Sequence, residues 1–369
     1  MDIVNGRVAT LGRGRWAEVL AVRDSRSSDN RLVAVKVYRR EDASRRSERV
    51  MQEKKSLLAL ASGLLTCSRY VVKLLETMKD DHCLYFVQTP VLGGALHQHV
   101  FRASGGVPTV VVQAIAAELV SALRHLSSCG IVHRDLKLNN ILLNESGHAV
   151  LCDFSSSKVL YDVGVLDARQ NIVDINKSFT ITGSLHIMAP EMAAETGHSF
   201  PVDWWALGVV VYEMISGAPF PWTKRENDKS VRAAASFVLE HAMEAPGMEG
   251  CWDCRETPTL TLGRISPDDL APMIHAALDL VRSLLIPDPI RRCDTIIQEP
   301  NQSRSVVRFF TRLENHAFFQ GVSWPCVHSG SSPSPWPDYD HRLGFLQLLQ
   351  GGEDVEEISK EQQELFLGF

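Results

Sequence analysis

The chain has 369 residues, 45% of them apolar and 22% charged, with 38 Lys and Arg against 44 Asp and Glu for a net charge of −6. That length allows two or three compact units or the two lobes of one, and the composition excludes a mostly disordered or collagenous chain. The acidic balance argues against a nucleic-acid binder, whose phosphate contacts need the opposite sign.

The start, Met1 to Arg15, lacks the apolar run of a signal peptide. No apolar stretch reaches the roughly 18 residues of a membrane span, so none is expected. Eight scattered cysteines in a chain of this size read as reduced thiols, which points to the cytoplasm, or to the nucleus. Cys251 and Cys254 form a lone CxxC, and a structural zinc site wants a second such pair.

The predicted elements follow in order. Leu11 to Arg23 holds two apolar runs around a Gly-rich break. Leu32 to Tyr38 reads as a strand, Arg45 to Leu60 as a helix, and Val71 to Met78 with Cys83 to Gln88 as a strand pair joined by Lys79-Asp80-Asp81. A connector with Pro90, Gly93 and Gly94 follows. Thr109 to Ser128 then carries apolar residues on one helix face, with Gly130 as its stop signal. Asp203 to Ile215 is apolar nearly all round, which predicts a buried central helix. Met273 to Leu285 is amphipathic, 221–265 has few signals and reads as an insert, and 326–340 is Ser- and Pro-rich like a linker or tail. The fold class is therefore α+β. A small β-rich lobe spans 1–88, a hinge 89–94, a larger mainly helical lobe 95–325, and a tail 326–369.

Two charges break their local patterns. Lys36 shares a strand face with Ala34 and Leu32, and Glu53 sits in the helix stripe of Val50, Leu57 and Leu60. Breaking a buried ion pair costs about 3–5 kcal/mol, so mutual pairing is the economical reading. Lys36 reaching solvent, with Glu53 at the stripe's edge, would fit the same pattern. Upstream, Gly12 and Gly14 allow a tight strand turn whose N–H groups can approach phosphates, although an ordinary hairpin turn reads the same way.

The polar string from His133 to Asn140 precedes a hairpin signature, Ile141-Leu142-Leu143, a turn at Asn144 to His148, and Ala149 to Cys152. Centred between Ser146 and Gly147, it would set Asn140 opposite Asp153. Two hard oxygen ligands there suit Mg²⁺, which binds through one or two protein groups plus substrate phosphates. Asp135 lies on the same rim with Lys137 two residues on. A carboxylate beside an ammonium stays ionised and can accept a hydroxyl proton late in phosphoryl transfer, while Lys137 offsets charge on the transferred group.

With His133-Arg134-Asp135-Leu136-Lys137-Leu138-Asn139-Asn140, Asp153-Phe154-Ser155 and Ala189-Pro190-Glu191 in place, the chain resembles the protein kinases over about residues 8–325. More narrowly it is similar to the AGC group of cyclic-nucleotide-dependent and related Ser/Thr kinases, on Glu53-Lys54-Lys55, Thr180 to Ser184, the Asp203-Trp204-Trp205 helix and Asn315 to Phe319. The resemblance implies a Ser/Thr protein kinase using ATP and Mg²⁺ on protein substrates. Leu11, Gly12, Gly14 and Val19 would cover the nucleotide, and Lys36 would hold the α/β-phosphates and pair with Glu53. Gln88 would be the gatekeeper, and Thr89 to Val91 would offer backbone bonds to an adenine held between Ala34 and Leu142. Asp135 would be the catalytic base, assisted by Lys137, with Asn140 and Asp153 as Mg²⁺ ligands. Leu57, Leu74, Phe154 and His133 would form an internal spine, Glu191 would pair with Arg292, and Asp203 would anchor the catalytic loop. Thr180 stands at the activation phosphosite, with Arg134 and Lys158 to grip its phosphate. Phe366 and Phe369 resemble a tail motif that docks on the small lobe. An activating kinase for Thr180 and a regulatory subunit in trans are the partners this implies.

The chain departs from the family at several points. Ala17 replaces the third loop glycine, and Ser155 stands where a glycine permits positive φ. Pro90 removes a hinge donor. Ala95 and Asn139 occupy positions where Arg-directed members carry acids, leaving Glu213, so the expected preference for Arg before the acceptor is weak. Ile181, Leu185 and Met188 would line an apolar pocket for the residue after it. Cys152 reads as a small apolar spacer. The alternative is an ATP-binding pseudokinase scaffold. Ser155 and Ala17 favour it, and the complete set Lys36, Glu53, Asp135, Lys137, Asn140 and Asp153 opposes it.

Overall fold

Alternation builds the first layer. On β3 (Leu32–Arg39), Val33, Val35 and Val37 turn to one face, where Val33 and Val35 join Leu20, Val22 and Val87 in a small core with Val37 packed against it. Ala34, Lys36 and Tyr38 take the other face. The computed structural model, which describes residues 6–14, 16–28, 30–40, 47–62, 68–102, 106–160, 177–220, 267–292 and 306–336, places β3 at the centre of a five-stranded sheet. With β1 (Arg7–Arg13), β2 (Glu18–Arg23), β4 (Leu74–Lys79) and β5 (Cys83–Gln88), the order is β1-β2-β3-β5-β4, antiparallel throughout. Helix α1 (Ser47–Ser62) accompanies it. These are the strands and the helix the sequence predicts, with shifted ends.

The larger part is mainly helical: α2 (Leu96–Arg102), α3 (Thr109–Ser128), the short α4 (Pro190–Ala193), α5 (Pro201–Ser216), α6 (Pro267–Leu284), α7 (Val306–Glu314) and α8 (Trp324–Ser329). Helix α3 is capped by Cys129, with Gly130 left-handed after it, as its stop signal predicts. Contrary to the reading of the bare sequence, α3 is long and apolar enough to cross a membrane by length and composition. Most of its residues are buried in the protein core, which accounts for that character. Helix α5 is buried nearly all round, as predicted.

Two further expectations need correction. Residues 326–340 are not all linker: α8 ends in the first four, where Pro325 at its second position suits a helix start. Past it, the Trp336 ring stands 5.9 Å from that of His99 on α2. After the short β6 (Ile131–Val132), the hairpin of β7 (Ile141–Leu143) and β8 (Ala149–Leu151) pairs Ile141 with Leu151. Its register is one residue from the predicted one, so Asn140 faces Cys152, whose N–H bonds Asn140 O at 2.9 Å. The loop closes between Asn144 and His148 with three residues inside it, and Gly147 takes φ 76°. A three-residue loop with a left-handed last residue has odd parity, which moves the centre onto Ser146. The 221–265 insert, Cys251, Cys254, Phe366 and Phe369 lie outside the described residues.

Candidate active site

Lys36 and Glu53 meet as the broken patterns predict. Lys36 Nζ donates to Glu53 Oε1 at 2.8 Å and to Asp153 Oδ1 at 2.8 Å, joining β3, α1 and the segment after β8. Burial penalises all three charges. The two carboxylates overcome this at Lys36 and hold its ammonium charged, well above its usual range. Burial would also lift Asp153, but the charge and hydrogen bond of Lys36 hold that carboxyl below the ordinary carboxylate range.

Beside them the segment from His133 to Asn140 is fixed from beneath. Asp203, on the buried α5, accepts the N–H groups of His133 and Arg134, each at 2.8 Å. His133 donates Nε2–H to Cys152 O at 3.1 Å, and its ring meets Phe154 edge-on at 5.0 Å between centroids. Leu57 is buried in the same core and Leu74 packs against it. Asp135 is the convergence point. Its Oδ2 accepts from Lys137 Nζ and Asn140 Nδ2, both at 2.9 Å, and its Oδ1 accepts Ser184 N–H at 2.8 Å. Lys137 Nζ also reaches Ser184 Oγ at 2.6 Å. Gly183 makes this approach feasible: it has φ 87°, and a Cβ there would lie 2.2 Å from Arg134 O.

A cavity of about 560 Å³ opens between the sheet and the large lobe. Of the residues predicted to touch a nucleotide, all but Pro90 line it: Leu11, Gly12, Gly14, Val19, Ala34, Lys36, Glu53, Gln88, Thr89, Val91, Leu142 and Asp153, together with Asn140. Asp135 and Lys137 are not in that wall and are joined to it through Asn140. The donor set fits magnesium. Asn140 bonds Asp135 through Nδ2, and Asp153 meets Lys36 and Ser155 N–H through Oδ1, leaving Asn140 Oδ1 and Asp153 Oδ2 as hard acceptors. A Cβ at Gly12 would meet nothing within 4 Å, so that space is open to a ligand. Thr89 N–H is bonded to Lys73 O at 3.0 Å, so of the expected hinge groups only its carbonyl and Val91 would remain for the predicted adenine.

Ser155 resolves more simply than its sequence position suggests. It lies in the 3-10 turn Phe154–Ser156 and is not among the residues with positive φ. Asp153 takes the left-handed conformation instead, at φ 59°. Serine in place of glycine is thus unstrained in this arrangement. Burial, with Asp153 beside it, pushes the Cys152 thiol up to about 12, as suits a spacer and not a nucleophile.

Around Thr180 the basic groups gather unevenly. Arg134 Nη1 donates to Ser178 Oγ at 2.9 Å and to Thr180 Oγ1 at 3.3 Å, while Lys158 Nζ reaches Ser178 Oγ, at 3.4 Å, and not Thr180. Burial pulls the Arg134 guanidinium down to about 10, Asp203 opposes this, and Arg49 of α1 adds repulsion. His198, bridged through its backbone to Ser178, is held neutral near 3 by burial and then by Arg134 and Lys158. The sequence reading missed Ser178, Ser184, Arg49 and His198, none of which breaks a local pattern.

Glu213 of α5 is 3% exposed, and its Oε1 accepts Phe220 N–H at 3.1 Å. Burial pushes it up to about 7 from 4.5, against that one bond. A carboxyl raised on folding binds its proton more tightly in the native state. Its protonation therefore supports the fold, and stability falls as pH rises from about 4.5 to 7. We expect Glu213→Gln to flatten that decline in the melting temperature, with an unchanged profile counting against the assignment. Ala95 and Asn139 both line the cavity, so its rim is neutral where they stand.

The arrangement is a glycine-flapped cavity with a shared lysine, two hard oxygens and a fixed carboxylate, which defines a phosphoryl-transfer fold. The protein kinase domain matches residues 6–303, and the chain belongs to the protein kinase family. Among its relatives, a cAMP-dependent protein kinase, catalytic subunit-like, of Caenorhabditis briggsae is 33% identical over 65% of this chain and 56% of its own length. The cAMP-dependent protein kinase catalytic subunit PRKX of Mus musculus is 33% identical over 87% of this chain and 73% of its own. Ribosomal protein S6 kinase alpha-4 of Homo sapiens is 29% identical over 95% of this chain and 39% of its own. The chain thus spans little more than half the length of the first of these and less than half of the last. These are AGC-group kinases, as the sequence motifs suggest.

Proposed function

We propose that this chain is a Ser/Thr protein kinase that transfers the γ-phosphate of Mg-ATP to protein hydroxyls. The observation that carries this reading is Lys36 Nζ, 2.8 Å from both Glu53 and Asp153 within a cavity flanked by Gly12 and Gly14. In it, Lys36 holds the α/β-phosphates, and Ala34 and Leu142 enclose the base. Asn140 and Asp153 would hold magnesium, which when bound supplies positive charge against the phosphates. Asp135 orients the incoming hydroxyl and accepts its proton, and Lys137 offsets charge on the moving group. The test is label transfer from γ-labelled ATP to a mixed protein substrate. Phosphoserine and phosphothreonine should form, and chelation of magnesium should abolish them. No label, or label indifferent to chelation, overturns the reading.

Phosphorylation of Thr180 is part of the same proposal. Thr180 is an exposed residue, and its Oγ1 lies 3.3 Å from a buried guanidinium. A phosphate there would gain charge-assisted bonds from Arg134 and bring Lys158 within reach. Thr180→Ala is expected to lower kcat on the order of tenfold, with the KM for ATP little changed. Equal rates for fully phosphorylated wild type and Thr180→Ala would remove Thr180 from control.

A further inference from the structure

Tyr38 stands two residues after Lys36 on β3, so the two side chains share a strand face and both meet Glu53. Glu53 is 0% exposed. A carboxylate so buried needs both oxygens bonded. Lys36 covers Oε1, and the Tyr38 hydroxyl donates to Oε2. The Tyr38 ring is itself buried, edge-on to Phe86 with centroids 5.6 Å apart, and Lys36 Nζ lies 5.3 Å from its centre. One phenol therefore touches both members of the ion pair. Lys36 is also shared with Asp153, so the place of Glu53 decides where the ammonium stands between them.

We infer that Tyr38 is a positioning residue for phosphate binding, its hydroxyl fixing the Glu53 carboxylate and Glu53 fixing Lys36 Nζ at the cavity. This rests on the nucleotide reading above. An apolar residue would fill the strand position equally well, and a buried phenol survives there because it finds an acceptor. Burial and the adjacent Glu53 keep the phenol protonated, although Lys36 pulls the other way, so it remains a donor. Burial lifts the Glu53 carboxyl, and the charge of Lys36 with hydrogen bonds from Lys36 and Tyr38 oppose that rise.

The test is the affinity of the full chain for ATP with magnesium and for adenosine, measured by calorimetry in wild type, Tyr38→Phe, Glu53→Gln and the double variant. Tyr38→Phe keeps the ring, its packing on Phe86 and its place beside Lys36, and removes one oxygen. A hydrogen bond to a charged group is worth enough to predict about a tenfold loss of ATP affinity. Adenosine, which has no phosphate for Lys36, should bind as before. In the Glu53→Gln background the same change should have no effect on ATP. Unchanged ATP affinity in Tyr38→Phe, an equal loss for adenosine, or the same loss without Glu53 would each overturn the inference. Failure of the nucleotide reading looks different: wild type itself would bind ATP no better than adenosine. In that case the same cycle is read from denaturant unfolding of the free protein, where additive effects of Tyr38→Phe and Glu53→Gln overturn the coupling and non-additive ones support it.

Discussion

Asp135→Asn is expected to lower kcat by roughly a hundredfold to ten-thousandfold, the contribution of a positioned general base. The KM for ATP should change far less than kcat, because Asp135 is outside the cavity wall that holds Lys36 and Asp153 and meets that wall through Asn140. The physical reason lies in its partners. Oδ2 accepts from two donors, Lys137 Nζ and Asn140 Nδ2, and Oδ1 accepts Ser184 N–H. All three are donors, so only an acceptor on both oxygens satisfies the site. Asparagine offers one oxygen and one NH₂ group, and either orientation sets a donor against a donor. The variant loses the charge that accepts the hydroxyl proton and also loosens Lys137. A peptide assay that returns a kcat within a few-fold of wild type would remove Asp135 from the chemistry. A collapse of ATP affinity in place of kcat would assign it to binding.

Much of this site was legible in the sequence because it violates sequence patterns. A lysine in an apolar strand and a glutamate in an apolar helix stripe each announce an expensive burial, and the structure resolves both as one pair. The sheet strands were legible for the opposite reason: they follow a period of two, which is local. What was not legible depends on parity and distance. The β7–β8 register turned on whether Gly147 would bulge, a single backbone choice that moves every pairing by one residue. The bond from Ser184 to Asp135 joins segments far apart in the chain, and nothing near Ser184 marks it. Tyr38 was hidden by its own suitability, since tyrosine is a good strand residue and only its partner shows that the hydroxyl is used. Ser155 misled in the opposite sense. Its sequence position suggested strain, and the fold places the left-handed residue at Asp153 instead.

The largest expected loss of stability comes from Glu191. Arg292 is 0% exposed, yet it is charged, and Glu191 meets it with both oxygens, at 2.7 and 3.1 Å. Its other donors go to Ile286 O, Pro201 O and Pro287 O, and Trp205 lies 5.1 Å beneath the guanidinium. The pair thus ties the short α4 to the start of α5 and to the segment that follows α6. Glu191→Gln keeps the shape and one acceptor but leaves a buried cation without its counter-charge. That costs about 3–5 kcal/mol, a large share of the roughly 5–15 kcal/mol that stabilises a folded protein. Urea unfolding should therefore show a marked fall in midpoint. The cost belongs to the orphaned charge and not to the lost contact, and a second variant separates the two. Adding Arg292→Met to Glu191→Gln removes the stranded cation. It should recover part of the loss, though not all, because three backbone carbonyls then lack a donor. A penalty for Glu191→Gln under about 1 kcal/mol would place the pair with exposed bridges of little consequence. A double variant less stable than Glu191→Gln alone would mean that Arg292 works through its carbonyl bonds and its stacking on Trp205 more than through its charge.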